Sequence, residues 1–481
     1  MLQSADGALC AVPFPVNDPE RIPVQRYYDP AFYQAELDHV WPHVWQMACR
    51  LEQIPDLGDW VEYSNVGHSV LIVRTAGGVK AYHNACRHRG VPIAGGYGNE
   101  GGKVASGNCA KSGFVCPFHG WRWNMDGENT LVYGKHLFSA RQLEGGDIDL
   151  VSCRVETWGG CAWINHDDDA PSVRETFGPV ADRLDAHGMA DLKMEWWFGT
   201  VLPANWKLAM EAFMEGYHVM QTHPQIANKP GDVFGDSYET RRELSGDAKQ
   251  KARSNIREGA TTREAIAAQL HHMELLSEGM AGMVHEKEVQ VMRDLIDADL
   301  PEDPVLGVPK WFGMVQAEIT RRLREAGEPV PDLNAIAMSH PVNAVEFLFP
   351  HFFLLPIFTS MSSYRIRPLS PETCLFEIWS LTMYPEGADY SPPLEPTMLP
   401  FDRPDFPPIP RQDYSNIPIQ QKGMHAKGFE FMRLSKDVEG MISNYQRILD
   451  GYLAGVPQEK LAKAVHVLGG NFDGKIIELE I

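Results

Sequence analysis

Two short segments each place a cysteine and a histidine a few residues apart. They are the pairs Cys86 with His88 and Cys116 with His119. Two thiolates and two imidazoles can hold a [2Fe–2S] cluster, with both cysteines on one iron and both histidines on the other. Neutral imidazoles raise the reduction potential of such a cluster above that of an all-cysteine cluster. A zinc knuckle uses a similar set of ligands, so the spacing alone leaves both alternatives open.

A second pair of histidines, His218 and His223, lies five residues apart and follows Glu215. Two histidines and one carboxylate form the facial triad of non-heme Fe(II) oxygenases, which leaves one face of the iron open to O₂ and substrate. A spacing of five does not place two imidazoles on one face of a helix. We therefore expect the second histidine in a distorted or terminated turn, with which Pro224 is consistent. Taken alone, such a pair is more often structural than metal-binding.

The residues around both pairs resemble the alpha (terminal oxygenase) subunits of Rieske non-heme iron ring-hydroxylating oxygenases. Residues 27–90 are similar to the amino-terminal part of these subunits, residues 205–223 to their iron-binding helix and residues 429–452 to their carboxy-terminal helix. The resemblance implies a Rieske [2Fe–2S] cluster and a mononuclear Fe(II) as cofactors. The implied cluster ligands are Cys86, His88, Cys116 and His119, and the implied iron ligands include His218 and His223.

The third iron ligand must come from far along the chain. We expect Asp437, because the segment 437–446 resembles the family's carboxy-terminal segment, in which an aspartate precedes a glutamine by eight or nine residues. Glu439 is the alternative. Ser435 or Asp437 also fits the N-cap of a helix, which is the structural alternative for this segment.

Glu215 stands where most members of the family carry an aspartate, three residues before the first iron histidine. The resemblance implies that this carboxylate bridges a cluster histidine of one subunit to an iron histidine of the next, within a ring of three alpha subunits. Some members that act on quaternary amines or methyl groups also use glutamate. A second departure is Ala212, where many relatives carry an asparagine.

The stretch between His88 and Cys116 is longer than in most relatives and is rich in glycine from Gly95 to Gly113. It holds a further thiol, Cys109. Position 112 is not a histidine, so Cys109 lacks a partner and Cys116 remains the expected ligand.

The patterns predict an α+β protein with three parts. Residues 1–44 form an amino-terminal segment that packs on the catalytic domain, and apolar, β-branched runs predict a small all-β Rieske domain over 45–165. Residues 166–481 are expected to form a helix-grip catalytic domain, a curved antiparallel sheet with helices. We expect helical structure around 195–225 and from about 428, an irregular stretch over 392–410, and a helical insertion at about 240–340 in which Thr261 and Glu264 form a capping box.

The composition of the chain narrows the possible classes of function further. The chain has 481 residues, 44% of them hydrophobic, and no run approaches the length of a membrane span. The net charge of −21 disfavours nucleic acid and anionic membranes as partners. Neither a secretory signal nor a disulfide framework is evident, which fits a reducing cytoplasm.

These observations predict the terminal oxygenase component of a multicomponent Rieske oxygenase that hydroxylates an aromatic or other apolar substrate by mono- or dioxygenation, as in aromatic hydrocarbon catabolism. Alternatives are a monooxygenase acting as an O- or N-demethylase, and, from another class, a pure electron carrier. The expected partners are a separate NAD(P)H-dependent reductase, with or without a ferredoxin, and two further copies in a homotrimer, with or without a beta subunit.

Overall fold

Short strands build the part of the chain that carries the first cysteine–histidine pairs. The structure is a computed structural model that describes residues 2–3, 9–10, 12–96, 102–229, 231–235, 255–280, 282–470, 474–479 and 481. A four-stranded antiparallel sheet and two three-stranded sheets form this domain. Its strands are Gln46–Arg50, Asp59–Asn65, His68–Thr75, Gly78–His83, Ser106–Asn108, Phe114–Val115, Arg122–Trp123, Asn129–Leu131, Arg154–Trp158 and Cys161–Asn165.

A seven-stranded sheet forms the centre of the second domain, and all its pairings are antiparallel except that of one short edge strand. From edge to edge its strands are Thr397–Met398, Lys193–Leu202, Thr373–Thr382, Met361–Ser370, Phe352–Pro356, Val345–Leu348 and Gly469–Gly470. Helices pack on this sheet, which confirms the α+β fold. The helices outside the insertion are Pro30–His39, Val173–Ala186, Trp206–Glu211, Val219–Thr222, Pro408–Gly423, Gly440–Leu453 and Gln458–Val465.

Three local predictions were wrong. Lys193–Leu202 is a strand where we expected the helical region to begin, because it pairs along its length with Thr373–Thr382 and Trp197 stacks on Trp379. Pro408–Gly423 is a helix whose start overlaps the stretch expected to be irregular. The last long helix begins at Gly440 rather than near 428.

The helical insertion is present where the structure describes it, and residues 236–254 of the chain lie outside the described residues. Its helices are Thr262–Met280, Glu286–Asp294, Pro304–Glu325 and Leu333–Ser339. The capping box is confirmed, since the backbone N–H of Thr261 donates to Glu264 and that of Glu264 donates to the Thr261 hydroxyl. Glu288 joins the insertion to the sheet by accepting from the backbone N–H of Thr359 (2.8 Å) and its hydroxyl (2.7 Å).

The segment before residue 44 packs against elements of the second domain. Its strand Arg21–Pro23 pairs with Phe431–Arg433. Glu36 forms a fully buried ion pair with Lys207, at 2.7 Å between Oε1 and Nζ. This contact fixes the start of the helix that leads to the two histidines.

A buried cluster of charges joins the two domains. Glu377 accepts hydrogen bonds from both Arg365 (2.8 Å) and Arg367 (3.1 Å), and all three side chains are almost fully buried. Arg365 also donates to the carbonyl of Ala48 (2.7 Å) and Arg367 to that of Ser64 (2.6 Å), both in the first domain. The three charged side chains therefore pair with one another, and the two arginines also donate hydrogen bonds to backbone carbonyls of the first domain.

Among the described residues, no helix combines the length and the apolar character that a membrane crossing requires.

Candidate functional site

The two cysteine–histidine loops have the same backbone hydrogen bonds. The carbonyl of Cys86 accepts from the N–H of Gly90 (2.8 Å), and the carbonyl of Cys116 accepts from that of Gly120 (3.1 Å). Each cysteine N–H donates to the carbonyl five residues ahead, at 2.8 Å in both loops. Gly90 (φ 78°) and Gly120 (φ 73°) adopt the left-handed conformation that closes such a turn without a Cβ clash. The two loops therefore present their ligands in the same way.

The ligand atoms of these loops converge. The Nδ1 atoms of His88 and His119 lie 3.2 Å apart. Cys86 and Cys116 are buried, at 4% and 2% exposure, and burial together with the Cys116 thiol raises the pKa of Cys86. The ring of Trp121 stacks on His88 at 5.1 Å between centroids, which restrains the imidazole. Two thiols and two Nδ1 atoms at one end of the domain fit the ligand set of a two-cysteine, two-histidine [2Fe–2S] cluster.

Cys109 forms a third turn of the same kind. Its carbonyl accepts from the N–H of Gly113 (2.8 Å), and Gly113 has a φ of 64°. The thiol is buried in the same apolar cluster as Cys86 and Cys116, but Ser112 stands where the second loop carries its histidine. Burial raises the pKa of Cys109 to about 11, so the thiol is protonated at neutral pH.

The second candidate site brings His218, His223 and Asp413 together. The Oδ1 atom of Asp413 lies 3.0 Å from Nε2 of His223 and 3.6 Å from Nε2 of His218. The histidines cap the two ends of the short helix Val219–Thr222, and His223 has left the helical conformation (φ −122°, ψ 58°), as the five-residue spacing requires. Two imidazoles and one carboxylate in one group fit the facial set of a non-heme Fe(II) site.

Each histidine of this group is held through its other ring nitrogen. Nδ1 of His218 lies 2.8 Å from Oε1 of Glu215, and Nδ1 of His223 lies 2.7 Å from Oε1 of Gln412. Because both partners are oxygen acceptors, each Nδ1 can donate its proton to them, and with a metal bound at Nε2 both imidazoles would hold this tautomer. Burial lowers the pKa of His218, but the hydrogen bond and charge of Glu215 outweigh it, and with Asp413 they raise this pKa above its usual value.

The structure does not bring Asp437 to the histidines. Asp437 is exposed in the turn before the helix Gly440–Leu453, and the carboxylate beside His218 and His223 is that of Asp413. Glu439 is not in the group either. It is the residue before that helix, and it accepts from the N–H of Ser435 (2.6 Å). The physical reason is the helix Pro408–Gly423, which carries Asp413 to the site. Asp413 lies 24 residues before Asp437, the ligand that we expected.

The sequence did contain a signal for Asp413. An aspartate eight or nine residues before a glutamine was the pattern that favoured Asp437, and Asp413 with Gln421 satisfies it as well as Asp437 with Gln446. The prolines at 408, 410 and 418 concealed the helix that carries Asp413.

Glu215 borders a cavity of about 410 Å³. Glu211, Ala212 and Glu439 also line this cavity. Burial raises the pKa of Glu439, and the charge of Glu215 adds to the effect, so the two carboxylates lie within electrostatic reach. Burial likewise raises the pKa of Glu211 to about 7. The cavity is therefore an acidic recess behind His218.

An aromatic cluster includes a residue of the helix that carries Asp413. Phe213 packs on Tyr364 at 4.9 Å between centroids, and Phe376 packs on Tyr414, the residue after Asp413, at 4.9 Å. Burial raises the pKa of both tyrosines, and the charge of Asp413 adds to each rise.

Two family models match the chain. The model described as the Rieske [2Fe-2S] domain matches residues 44–135, and that described as the ring hydroxylating alpha subunit (catalytic domain) matches residues 182–455. The cysteine–histidine loops lie in the first region and the His218–His223–Asp413 group in the second. The chain thus carries the domain pair that holds a Rieske cluster and a mononuclear iron.

Curated relatives include the carnitine monooxygenase oxygenase subunit of Escherichia coli (strain K12), 30% identical over 43% of this chain and 53% of the relative. Choline monooxygenase of Spinacia oleracea is 30% identical over 47% of this chain and 49% of the relative. The chain spans about half the length of the curated relatives it matches.

Solved structures show the same fold. A quaternary ammonium Rieske monooxygenase superposes with a TM-score of 0.55 at 17% identity, over 91% of this chain and 97% of that one. Naphthalene 1,2-dioxygenase from Rhodococcus sp. superposes with a TM-score of 0.57 at 19% identity, over 92% and 96%.

Proposed function

Since the chain belongs to the family of ring-hydroxylating alpha subunits, we propose that it is a terminal oxygenase that inserts one oxygen atom into a C–H bond of a quaternary ammonium compound. The other oxygen atom of O₂ leaves as water, with two electrons and two protons consumed. The electrons come from a separate NAD(P)H-dependent reductase, with or without a ferredoxin. This proposal favours the monooxygenase alternative over hydroxylation of an aromatic hydrocarbon.

The main support for this proposal is the substrate class given in the names of the relatives. The matched curated proteins include oxygenase subunits of carnitine and glycine betaine monooxygenases as well as choline monooxygenases. Carnitine, glycine betaine and choline all bear a trimethylammonium group. Glu215 agrees with this, because some family members that act on quaternary amines use glutamate at this position.

The aromatic rings near Asp413 support the same substrate class. Faces of tyrosine and phenylalanine attract quaternary ammonium ions through cation–π interactions, which strengthen when the cation is desolvated. Tyr364 and Tyr414 belong to a buried aromatic cluster with Phe213 and Phe376, and we propose that rings of this cluster face the bound substrate. Helices of the insertion pack in the same hydrophobic core.

Neighbouring side chains hold the residues of the metal group in the orientation that binding of a metal needs. When bound at His218, His223 and Asp413, Fe(II) would supply the activation of O₂. Glu215 and Gln412 hold the Nδ1–H of the two histidines, so that both imidazoles keep the tautomer and orientation that ligation needs. The presence of this catalytic domain rules against the electron-carrier alternative.

We propose that Glu215 also serves a neighbouring copy. Its carboxylate borders the acidic recess, and each of its oxygens retains acceptor capacity beyond the bond to His218. In the homotrimer that we propose, His88 or His119 of the next copy would donate its free ring N–H to Glu215. One carboxylate would then orient a histidine of each redox site.

A product screen with isotope labelling tests the substrate class. The full-length protein, loaded with cluster and iron, is combined with a surrogate reductase, NADH and ¹⁸O₂. Carnitine, glycine betaine and choline are compared with naphthalene and with 3,3-dimethylbutan-1-ol, the neutral isostere of choline. We expect O₂-dependent oxidation of a quaternary ammonium substrate and none of the isostere. The carbonyl product formed when the hydroxylated intermediate breaks down is reduced at once with borohydride, which retains its ¹⁸O atom for detection.

The Asp413→Ala variant is the control, and it should form no product from any substrate. Turnover of naphthalene with two ¹⁸O atoms in the product, and no turnover of the ammonium compounds, would overturn the proposal in favour of aromatic dihydroxylation.

A further inference from the structure

A second group of metal-binding residue types lies in the first domain, outside both sites described above. His83 ends the strand Gly78–His83, Cys153 precedes the strand Arg154–Trp158, and His166 follows the strand Cys161–Asn165. His68 begins the strand His68–Thr75. Backbone bonds hold these strand ends together, because the N–H of Cys153 donates to the carbonyl of Ala81 at 2.9 Å.

The ligand atoms of this group converge on one point. One nitrogen of His83, the sulfur of Cys153 and one nitrogen of His166 all lie within 4.8 Å of one another. The Cys153 sulfur lies 3.9 Å from Nδ1 of His166. Tetrahedral zinc, with bonds of about 2.3 Å to sulfur and about 2.05 Å to nitrogen, would set its ligands roughly 3.6 Å apart. The Cys153–His166 distance is therefore close to the tetrahedral value, and side-chain shifts of about 1 Å would complete the geometry of the group.

A fourth donor lies beside these three. The ring of His68 is 4.8 Å from that of His166 between centroids, and His83 stacks on His166 at 5.4 Å. His68 is exposed, so its side chain has room to turn. Among the described residues, the only hydrogen bond of these three imidazole rings joins Nδ1 of His166 to the sulfur of Cys153.

The two buried imidazoles are in the form that a metal ion needs, whereas burial and the charge of Asp168 raise the pKa of Cys153 to about 12, so metal binding must displace the proton of this thiol. Burial and the charges of the neighbouring histidines lower the pKa of His166 to about 3, and burial with the charge of His68 lowers that of His83. Both imidazoles are therefore neutral at physiological pH, with lone pairs available for coordination. Asp168, whose charge acts on His83 and Cys153, adds negative potential at the mouth of the group.

We propose that His83, Cys153 and His166, with His68 as the fourth ligand, form a structural zinc site at this edge of the domain. Zinc accepts thiolate and imidazole together and is four-coordinate in structural sites. The ion would join three strand ends and the β-turn before His68–Thr75. It would also fix His83, three residues before the cluster ligand Cys86, and so stabilise the base of the first ligand loop.

Cobalt(II) provides a probe that separates this site from the other two. The full-length protein with its [2Fe–2S] cluster in place is first freed of zinc with a chelator and then titrated with Co²⁺, and thiolate-to-cobalt charge transfer is followed by difference absorption. The His218–His223–Asp413 group contains no sulfur and gives no such band, while the cluster cysteines are already occupied. We expect one equivalent of the cobalt–thiolate band, and its loss when Zn²⁺ is added.

The Cys153→Ser variant should lose the band, and Cys374→Ser, which alters a buried thiol in the other domain, should keep it. Metal analysis should find one zinc more per chain in the wild type than in Cys153→Ser. If Cys153→Ser lacks the absorption of the folded cluster, His166→Gln replaces it. That variant should weaken cobalt binding by more than the roughly tenfold that loss of an outer hydrogen-bond partner costs. A wild type without the band, or a band that persists in Cys153→Ser and His166→Gln, would overturn the proposal.

Discussion

The two groups of candidate iron ligands in this protein are assembled over different distances along the chain. The candidate cluster ligands all lie between Cys86 and His119, on two loops with the same turn. The mononuclear group takes two histidines from one short helix and Asp413 from another, 190 residues beyond His223. A site built from a repeated local turn is specified by nearby residues, whereas the second site depends on how distant helices dock on the sheet.

The largest expected effect follows from changing a ligand on the local loops. His119→Cys replaces an imidazole by a thiolate on one iron, which should lower the potential of the cluster by on the order of a few hundred mV. The Rieske-type electron paramagnetic signal and all turnover should be lost, while mononuclear iron is retained. An unchanged signal would show that His119 is not a cluster ligand.

Asp413→Ala tests the long-range ligand against the position that the sequence favoured. Two imidazoles alone hold Fe(II) poorly, so the loss of iron affinity should exceed the roughly 10–100-fold that an outer partner is worth. Asp437→Ala is the matched control and should bind iron as the wild type does, because Asp437 is exposed. Iron analysis with intact cluster content measures both, and the reverse pattern would restore Asp437 as the ligand.

Glu215→Gln tests whether the two sites are coupled. The amide keeps the length of the side chain but offers a single uncharged acceptor, so it cannot hold two imidazoles as the carboxylate does. Both metal sites should fill nearly normally, while reoxidation of the reduced cluster by O₂ and substrate in a single turnover slows by orders of magnitude. Reoxidation at the wild-type rate would exclude the bridge.

Gln412→Ala should have the smallest effect. Without its acceptor the His223 ring loses the restraint on its Nδ1–H, and iron affinity should fall by about 10–100-fold. Asn416→Ala is the control, since Asn416 lies on the same helix and donates to the hydroxyl of Thr222 without touching a histidine. Equal affinities for the two variants would mean that the packing of the helix, and not the Gln412 bond, positions His223.

The difference between the sites explains what the sequence could predict. The sheet-rich domain could be predicted from its apolar, β-branched runs, and the cluster loops with His218 and His223 from the resemblance of their surrounding residues to a known family. Asp413 could not, because its helix starts with Pro408 and Pro410 and contains Pro418, which weaken the helical pattern. The first two prolines lie in the first turn, where no intrahelical N–H is required. Only the docking of that helix distinguishes Asp413 from Asp437, and no local rule describes docking.

The ion pairs of Glu377 bear on how the two domains separate when the protein unfolds. This buried carboxylate is shared by Arg365 and Arg367, which in turn hold backbone carbonyls of the first domain. Separating the domains would leave the ion pairs together but would expose them to water and break the arginine–carbonyl bonds, and a hydrogen bond from a charged donor contributes about 1.5–3 kcal/mol. We therefore expect the two domains to unfold together, so that the cluster site and the iron site are lost in one transition.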